Sequence, residues 1–308
     1  MPIRAAVIHS LEYRCDIGPH VFPMDKFDRV LEALIGAGSI TADDVSAPLA
    51  ASRDDLLLAH TSAYLDDLEH LRWTPRTLAS ELPLHDDIVR AYVLAAGGTT
   101  VAARAALDGG FGVNLGGGFH HAFADRAEGF CYLNDLAVAI RVLQRDHGIE
   151  RAAVVDLDVH QGNGTASIFE GDSGVFTLSM HQEHNYPDPK QRSSLDVGLQ
   201  NGIEDDAYLE LEKRALERVW EFAPQIVLYQ AGADPYREDL LGGLVLTLDG
   251  LEQRDRLVLE GCAARGIPAV VTLGGGYARD RSDTVRIHAA TCRIALELAG
   301  NASAGRSR

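Results

Sequence analysis

Residues 154–163 read VVDLDVHQGN. Val154, Val155, Leu157 and Val159 give this run the apolar, β-branched character of a buried strand, yet Asp156, Asp158 and His160 interrupt it at alternate positions. Strand side chains alternate between faces, so the three polar residues are expected on one face and Val155, Leu157 and Val159 on the other. Helix capping uses one or two polar residues at an element's end and does not account for three at alternate positions. An unpaired buried carboxylate costs free energy on the scale of a domain's net stability, so two on one face require a neutralising partner.

Outward from that stretch, other short apolar runs repeat the pattern. IRAAVI (3–8), FGVNL (111–115), AAVVDLDV (152–159), GVFTLSM (174–180), QIVLYQAG (225–232) and PAVVTLGGG (268–276) read as strands. Between and after them, DLAVAIRVLQRDHG, DDAYLELEKRALERVWEFAP, GLEQRDRLVLEGCAARG and DTVRIHAATCRIALELAG place apolar residues at helical spacing, with polar flanks and terminal Gly or Pro. Strands alternating with helices predict an α/β fold, an open parallel sheet flanked by helices. Residues 36–60 show only weak periodicity. With no repeat and no Pro/Gly/Ser linker, residues 1–300 are expected to form a single domain, followed by a flexible tail over 301–308 (NASAGRSR).

The 308 residues are 46% hydrophobic, enough for a substantial core. A net charge of −17 argues against a nucleic-acid surface and suits solubility or a cationic substrate. Cys15, Cys131, Cys262 and Cys292 lie far apart without CxxC spacing, so reduced thiols are expected rather than disulfides or a thiolate metal site. MPIRAAVIHS lacks the long apolar segment of a signal peptide, and no run approaches the roughly 20 apolar residues of a membrane span. A cytoplasmic location with no membrane partner is expected.

Four of the apolar runs end in glycine together with a chemically capable residue. NLGGGFHH carries His120 and His121, VVDLDVHQGN the opening trio, YQAGADP Asp234, and TLGGGY Tyr277. Each has a commonplace reading: a histidine pair satisfied in the core, an aspartate capping the next helix, a packed tyrosine. Those readings would have to hold four times over at corresponding positions. Ligands of open parallel sheets bind beyond the carboxyl ends of the strands, so these side chains are expected to converge on one pocket. A divalent cation held by Asp158, His160 and Asp234, with one position open for water, resolves the charge problem. Asp156, one strand step back, is better placed to fix a neighbouring group or bind a monovalent cation.

Together NLGGGFHHAFADRAEGFCYLND, VVDLDVHQGNG, YQAGADPYREDLLGGL and LGGGY resemble the zinc-dependent histone deacetylase family, most nearly its class IV-like members, over almost the whole chain from GPHVFPMDKF onward. The resemblance implies the arginase/deacetylase fold with its active site at the carboxyl ends of the strands. It also implies an amidohydrolase in which metal-activated water removes an acyl group, acetyl first of all, from a lysine side chain. By motif, Asp158, His160 and Asp234 correspond to the ligands of one Zn²⁺, and His120 and His121 to the tandem histidines, with Asp156 orienting His120. Tyr277 corresponds to the tyrosine that hydrogen-bonds the substrate carbonyl. Gly129 and Phe130 correspond to the wall of an acyl-lysine tunnel, and Tyr186 to its facing wall. A structural K⁺ is implied at the side chains of Asp156 and Ser179 with main-chain oxygens around Asp158, His160 and Met180. Asn163 stands where many relatives carry an aspartate behind the second histidine. An amide can orient His121 but stabilises its protonated form less than a carboxylate would.

Three rivals share parts of this pattern. A binuclear manganese ureohydrolase needs a third ligand in each set, where this chain has Gly162 and Tyr236. A non-catalytic acyl-lysine reader would be expected to lose a ligand, a histidine or the tyrosine. An acetylpolyamine amidohydrolase presents the same amide on a cationic chain and remains the alternative to a protein or peptide substrate.

Overall fold

The structure is a computed structural model and describes residues 6–305. Eight strands form one sheet: β1 (Ala6–Ile8), β2 (Val45–Ser46), β3 (Phe111–Asn114), β4 (Ala152–Asp156), β5 (Val175–Gln182), β6 (Leu195–Leu199), β7 (Ile226–Gln230) and β8 (Ala269–Thr272). Their order is β2-β1-β3-β8-β7-β4-β5-β6 and every pairing is parallel. All six expected strands are present, except that residues 3–5 of the first lie outside the described residues.

Both faces of the central strands are buried, which is why those strands read as continuous apolar runs. Ala152 and Val154 of β4, with Ile226 and Leu228 of β7, pack into one core under the helices Asp86–Gly109 and Asp135–His147. Ala153 and Val155, with Val227 and Tyr229, pack into the other, under Lys26–Gly36, Asp205–Phe222, Leu248–Arg265 and Arg281–Gly305. Among the described residues no helix is long and apolar enough to cross a membrane. All four cysteines are unpaired.

Helix ends follow their local chemistry. Asn134 caps Asp135–His147 by accepting from Ala137 N–H at 3.0 Å, and Gly148 closes it in the left-handed conformation. Thr247 and Gly266 do the same for Leu248–Arg265. The last helix runs to Gly305, so 301–305, expected within a flexible tail, are helical; 306–308 lie outside the described residues. In the weakly periodic 36–60 region the chain forms only short pieces: a turn of 3₁₀ helix at Ala42–Asp44, β2 and Arg53–Leu56.

Two features place the site. β3, β8, β7 and β4, the strands that end in the four glycine-bearing motifs, are consecutive neighbours at the centre of the sheet. The opening trio is also not one strand face, as expected from VVDLDVH: β4 stops at Asp156, and Asp158 and His160 lie in the bend beyond it. Side chains there take over the hydrogen bonds the ladder would have supplied. Asp158 N–H donates to Asp156 Oδ1 at 3.2 Å and His160 N–H to Asp158 Oδ1 at 2.9 Å, while Leu157 N–H still reaches Gln230 O at 3.1 Å. Alternation survives without the ladder, because Val155, Leu157 and Val159 all remain in one core.

Candidate active site

Asp158, His160 and Asp234 are buried, and each offers a ligand atom within 4.8 Å of the others. His160 Nδ1 lies 3.1 Å from Asp158 Oδ1 and 3.2 Å from Asp234 Oδ2. The remaining carboxylate oxygens are committed elsewhere: Asp158 Oδ2 accepts from Gly275 N–H at 2.8 Å and Asp234 Oδ1 from Val159 N–H at 2.9 Å. Asp234 Oδ2 is buried and, apart from its ion-pair contact with His160, makes no hydrogen bond of good geometry. It does not cap a helix, since the next one begins at Leu248 under Thr247.

Charge in this cluster is frustrated. Burial, then Asp158, pushes Asp234 up to about 7. Burial opposes the charge on His160, but Asp158 and Asp234 outweigh it and hold the imidazolium up to about 10. Burial also works against ionised Asp158, yet His120 and His160 bring it well below the usual carboxylate range. The donor set, a buried carboxylate oxygen met only by the His160 ion pair and two acids needing positive charge all fit a divalent cation. Gly275 adds a steric argument, because a Cβ there would lie 1.9 Å from Asp234 Oδ2 and 2.7 Å from Asp158 Oδ2.

The tandem histidines follow β3. Their loop is fixed by Asp135, whose carboxylate accepts from Gly118 N–H at 3.0 Å and Phe119 N–H at 2.7 Å, and by Gln230 Nε2, which donates to Gly118 O at 2.8 Å. His120 Nδ1 donates to Asp156 Oδ2 at 2.7 Å, and His121 Nδ1 lies 2.7 Å from Asn163 Oδ1. Their environments drive them apart. Burial would lower His120, but Asp156 and Asp158 raise it to about 9; burial together with His120 and His160 puts His121 well below its ordinary value. Two adjacent imidazoles, with ring centroids 4.1 Å apart, are thus poised in opposite protonation states.

A cleft of about 200 Å³, lined by His121, Gly129, Phe130, Tyr186, Leu241 and Tyr277 among others, lies over these groups. An inner chamber of about 20 Å³ shares Gly129, Phe130 and Tyr277 and also meets Lys26 and Asp158. Gly129 has φ +50°, and a Cβ there would come 2.7 Å from His121 Cδ2. Tyr186 faces this wall, its ring 5.1 Å from that of His121. Burial first, then Asp234 and Asp158, raises the Tyr277 phenol well above its ordinary value, so it stays a hydrogen-bond donor. Every residue expected in the metal, histidine, tyrosine and tunnel sets is therefore brought to one place. Asp156 and Ser179 are register partners on β4 and β5; Ser179 Oγ also lies 3.0 Å from His181 Nδ1.

Three nearby groups were not singled out by sequence reasoning. Lys26 is buried with its Nζ donating to Gly274 O, and burial lowers it to about 8 against the pull of Asp158 and Asp234. Asp239 accepts from Tyr277 N–H at 2.6 Å and from Leu241 N–H at 2.8 Å, anchoring the tyrosine's loop. Glu128 accepts from Asn163 Nδ2 at 2.5 Å. All three lie inside quoted motifs, but a lone charge there carries no signal of what it meets.

Residues 20–292 match the histone deacetylase domain. The chain is 42% identical over 281 residues to an uncharacterised protein of Picosynechococcus sp., covering 91% of this chain and 94% of that one. It is 32% identical to histone deacetylase 2 of Arabidopsis thaliana, covering 86% and 72% of the two chains. It is also 32% identical to acetoin utilization protein AcuC of Bacillus subtilis, covering 83% and 72%. The fold superposes on the crystal structure of an HDAC homologue from Aquifex aeolicus with a TM-score of 0.82 at 28% identity, covering 96% of this chain and 84% of that one. An HDAC homologue complexed with SAHA gives 0.83.

Two expected outcomes follow from this geometry. Gly275→Ala should fold, as judged by far-UV circular dichroism, yet lose divalent metal by elemental analysis; full metal content would mean that the glycine is not needed for the cradle. Metal binding must also displace the proton His160 carries, so at pH 8 calorimetry in buffers of different ionisation enthalpy should detect release of about one proton per Zn²⁺, with affinity rising with pH. Zero proton release would contradict the charge assignment.

Proposed function

The chain belongs to the histone deacetylase family and has the arginase/deacetylase fold, and from that premise we propose that it hydrolyses an acetyl amide on the side chain of a lysine in a protein or peptide, with one zinc ion bound by Asp158, His160 and Asp234. The observation that carries this reading is the convergence of that buried triad, two histidines in opposed environments and a protonated tyrosine at the base of one narrow cleft. A zinc ion held by Asp158, His160 and Asp234 would supply Lewis acidity, polarising a carbonyl and lowering the pKa of water so that it is nucleophilic at neutral pH.

The chain's own groups divide the remaining work. His121, neutral, takes the proton as water attacks and delivers it to the leaving amine. His120, kept charged by Asp156, stabilises the negative charge that develops beside it. Tyr277 donates to the carbonyl oxygen as that oxygen becomes anionic. Gly129 and Phe130 on one side and Tyr186 on the other enclose the aliphatic stem of the substrate and keep bulk water from the reacting carbon. The acetyl group suits an inner chamber of about 20 Å³ better than a long acyl chain. Asn163 behind His121 supports placing the chain with class IV-like members. The Asp156–Ser179 pairing supports a structural potassium ion held with main-chain oxygens around Asp158, His160 and Met180.

Glu81 in the cleft lining and Glu128 beside Tyr186 add negative charge near the entrance, which favours a cationic substrate chain. That observation supports an acetylpolyamine as the second reading. A panel of acetyl-lysine peptides, longer acyl-lysines and acetylpolyamines, assayed with zinc-loaded protein, separates the two. The first reading expects the highest kcat/KM on acetyl-lysine peptides; higher values on acetylpolyamines would select the second, and no turnover of any amide would reject both. Tyr277→Phe should retain its zinc and lose roughly a hundredfold or more in kcat. A near-normal kcat would remove Tyr277 from the reaction.

A further inference from the structure

Behind His121 the hydrogen bonds run further than the sequence suggested. His121 Nδ1 lies 2.7 Å from Asn163 Oδ1, and Asn163 Nδ2 donates to Glu128 Oε1 at 2.5 Å. Tyr186 OH also donates to Glu128 Oε1, at 3.3 Å, and Arg126 holds the other oxygen, Oε2, at 3.3 Å. Glu128 is itself pinned by reciprocal backbone bonds with Cys131, Cys131 N–H to Glu128 O at 2.9 Å and Glu128 N–H to Cys131 O at 3.0 Å. Its side chain is 21% exposed, whereas Asn163 is 1% exposed.

We infer that Glu128 sets the tautomer of His121 by locking the orientation of the Asn163 amide. A carboxylate only accepts hydrogen bonds, so the Asn163 end that faces Glu128 must be the NH₂. The end facing His121 is then the carbonyl oxygen, which also only accepts, so Nδ1 of His121 must carry the hydrogen. In a neutral imidazole that leaves the lone pair on Nε2. An aspartate at position 163 would dictate this tautomer by itself, because both its oxygens accept. An asparagine does not: turned over, it presents NH₂ to Nδ1, the hydrogen moves to Nε2, and that nitrogen no longer accepts a proton. Glu128 removes the ambiguity that the amide introduces. It acts as a positioning residue, touching neither substrate nor metal in this role, and its catalytic consequence rests on the proposed role of His121 as the group that takes and returns the proton.

The test joins a spectroscopic readout to a kinetic one. In zinc-loaded protein carrying ¹⁵N-histidine, with His121 assigned by its loss in His121→Ala, two-bond ¹H–¹⁵N correlation spectra report which ring nitrogen is protonated. The parent should show His121 as the Nδ1–H tautomer. Glu128→Ala should populate the Nε2–H form and lower kcat by about tenfold or more, part of the roughly 10²–10⁴-fold that a positioned acid–base group contributes, with zinc content unchanged. Glu128→Gln, which keeps a carbonyl acceptor and nearly the same shape, should fall between the two and guards against misfolding of the alanine variant. Adding Asn163→Asp to Glu128→Ala should restore both the Nδ1–H tautomer and most of kcat, a rescue that general loss of structure would not allow. An Nε2–H tautomer in the parent, an unchanged His121 spectrum in Glu128→Ala, or no rescue by Asn163→Asp would overturn the inference. Because the tautomer is read without substrate, failure of the deacetylase reading would appear separately, as the absence of turnover in the parent.

Discussion

Two carboxylates and an imidazole share a space from which water is largely excluded, and the surrounding structure is arranged around their mutual need for positive charge. Asp158 and Asp234 come from different strands, so the loops after β4 and β7 must be held in register for the cluster to exist. Arg254, fully buried, does part of this by donating through one nitrogen to Gly232 O at 2.6 Å and Leu157 O at 3.3 Å, one carbonyl from each loop. Its charge is paired with Asp255, which in turn accepts from Tyr229 OH and Thr291 Oγ1. A buried guanidinium left unpaired would be strongly destabilising, so that side network is what permits Arg254 to serve as a clamp.

The same logic extends around the cleft. The loops that carry the candidate site residues are tied down by an acid or amide at their base: buried Asp135 and Gln230 for the histidine loop, half-buried Asp239 for the tyrosine loop, buried Asp156 for the bend leading to Asp158. These side-chain partners replace hydrogen bonds that the backbone forfeits on leaving the sheet, and they fix the positions of side chains whose chemistry depends on distance. The central four strands supply the rigid support, because their two faces are packed into separate cores.

Much of this was legible in the sequence because it obeys simple periodicities. Strand runs buried on both faces read as apolar stretches, and the glycine-ended motifs marked four strands that prove adjacent, although nothing in their chain order announces that adjacency. The edge strands β2 and β6 escaped notice, the first being only two residues long and the second largely half-exposed or exposed. Asp156-x-Asp158-x-His160 imitates a strand while its last two members sit beyond the ladder, since side-chain-to-backbone bonds can stand in for strand pairing without altering the residue pattern. Which residues meet at the site was readable through residue types and their resemblance to a family. The partnerships of Lys26, Glu128 and Asp239 were not, because each depends on contacts between segments distant in the chain.

The most direct test of the central claim is a crystal of the protein grown with Zn²⁺ and measured on both sides of the zinc absorption edge. The account predicts one anomalous peak per chain, about 2.0–2.2 Å from an oxygen of Asp158, a nitrogen of His160 and an oxygen of Asp234. A peak centred instead on the Cys131 sulfur that borders the inner chamber, two peaks bridged by carboxylates, or no peak near the triad would contradict it.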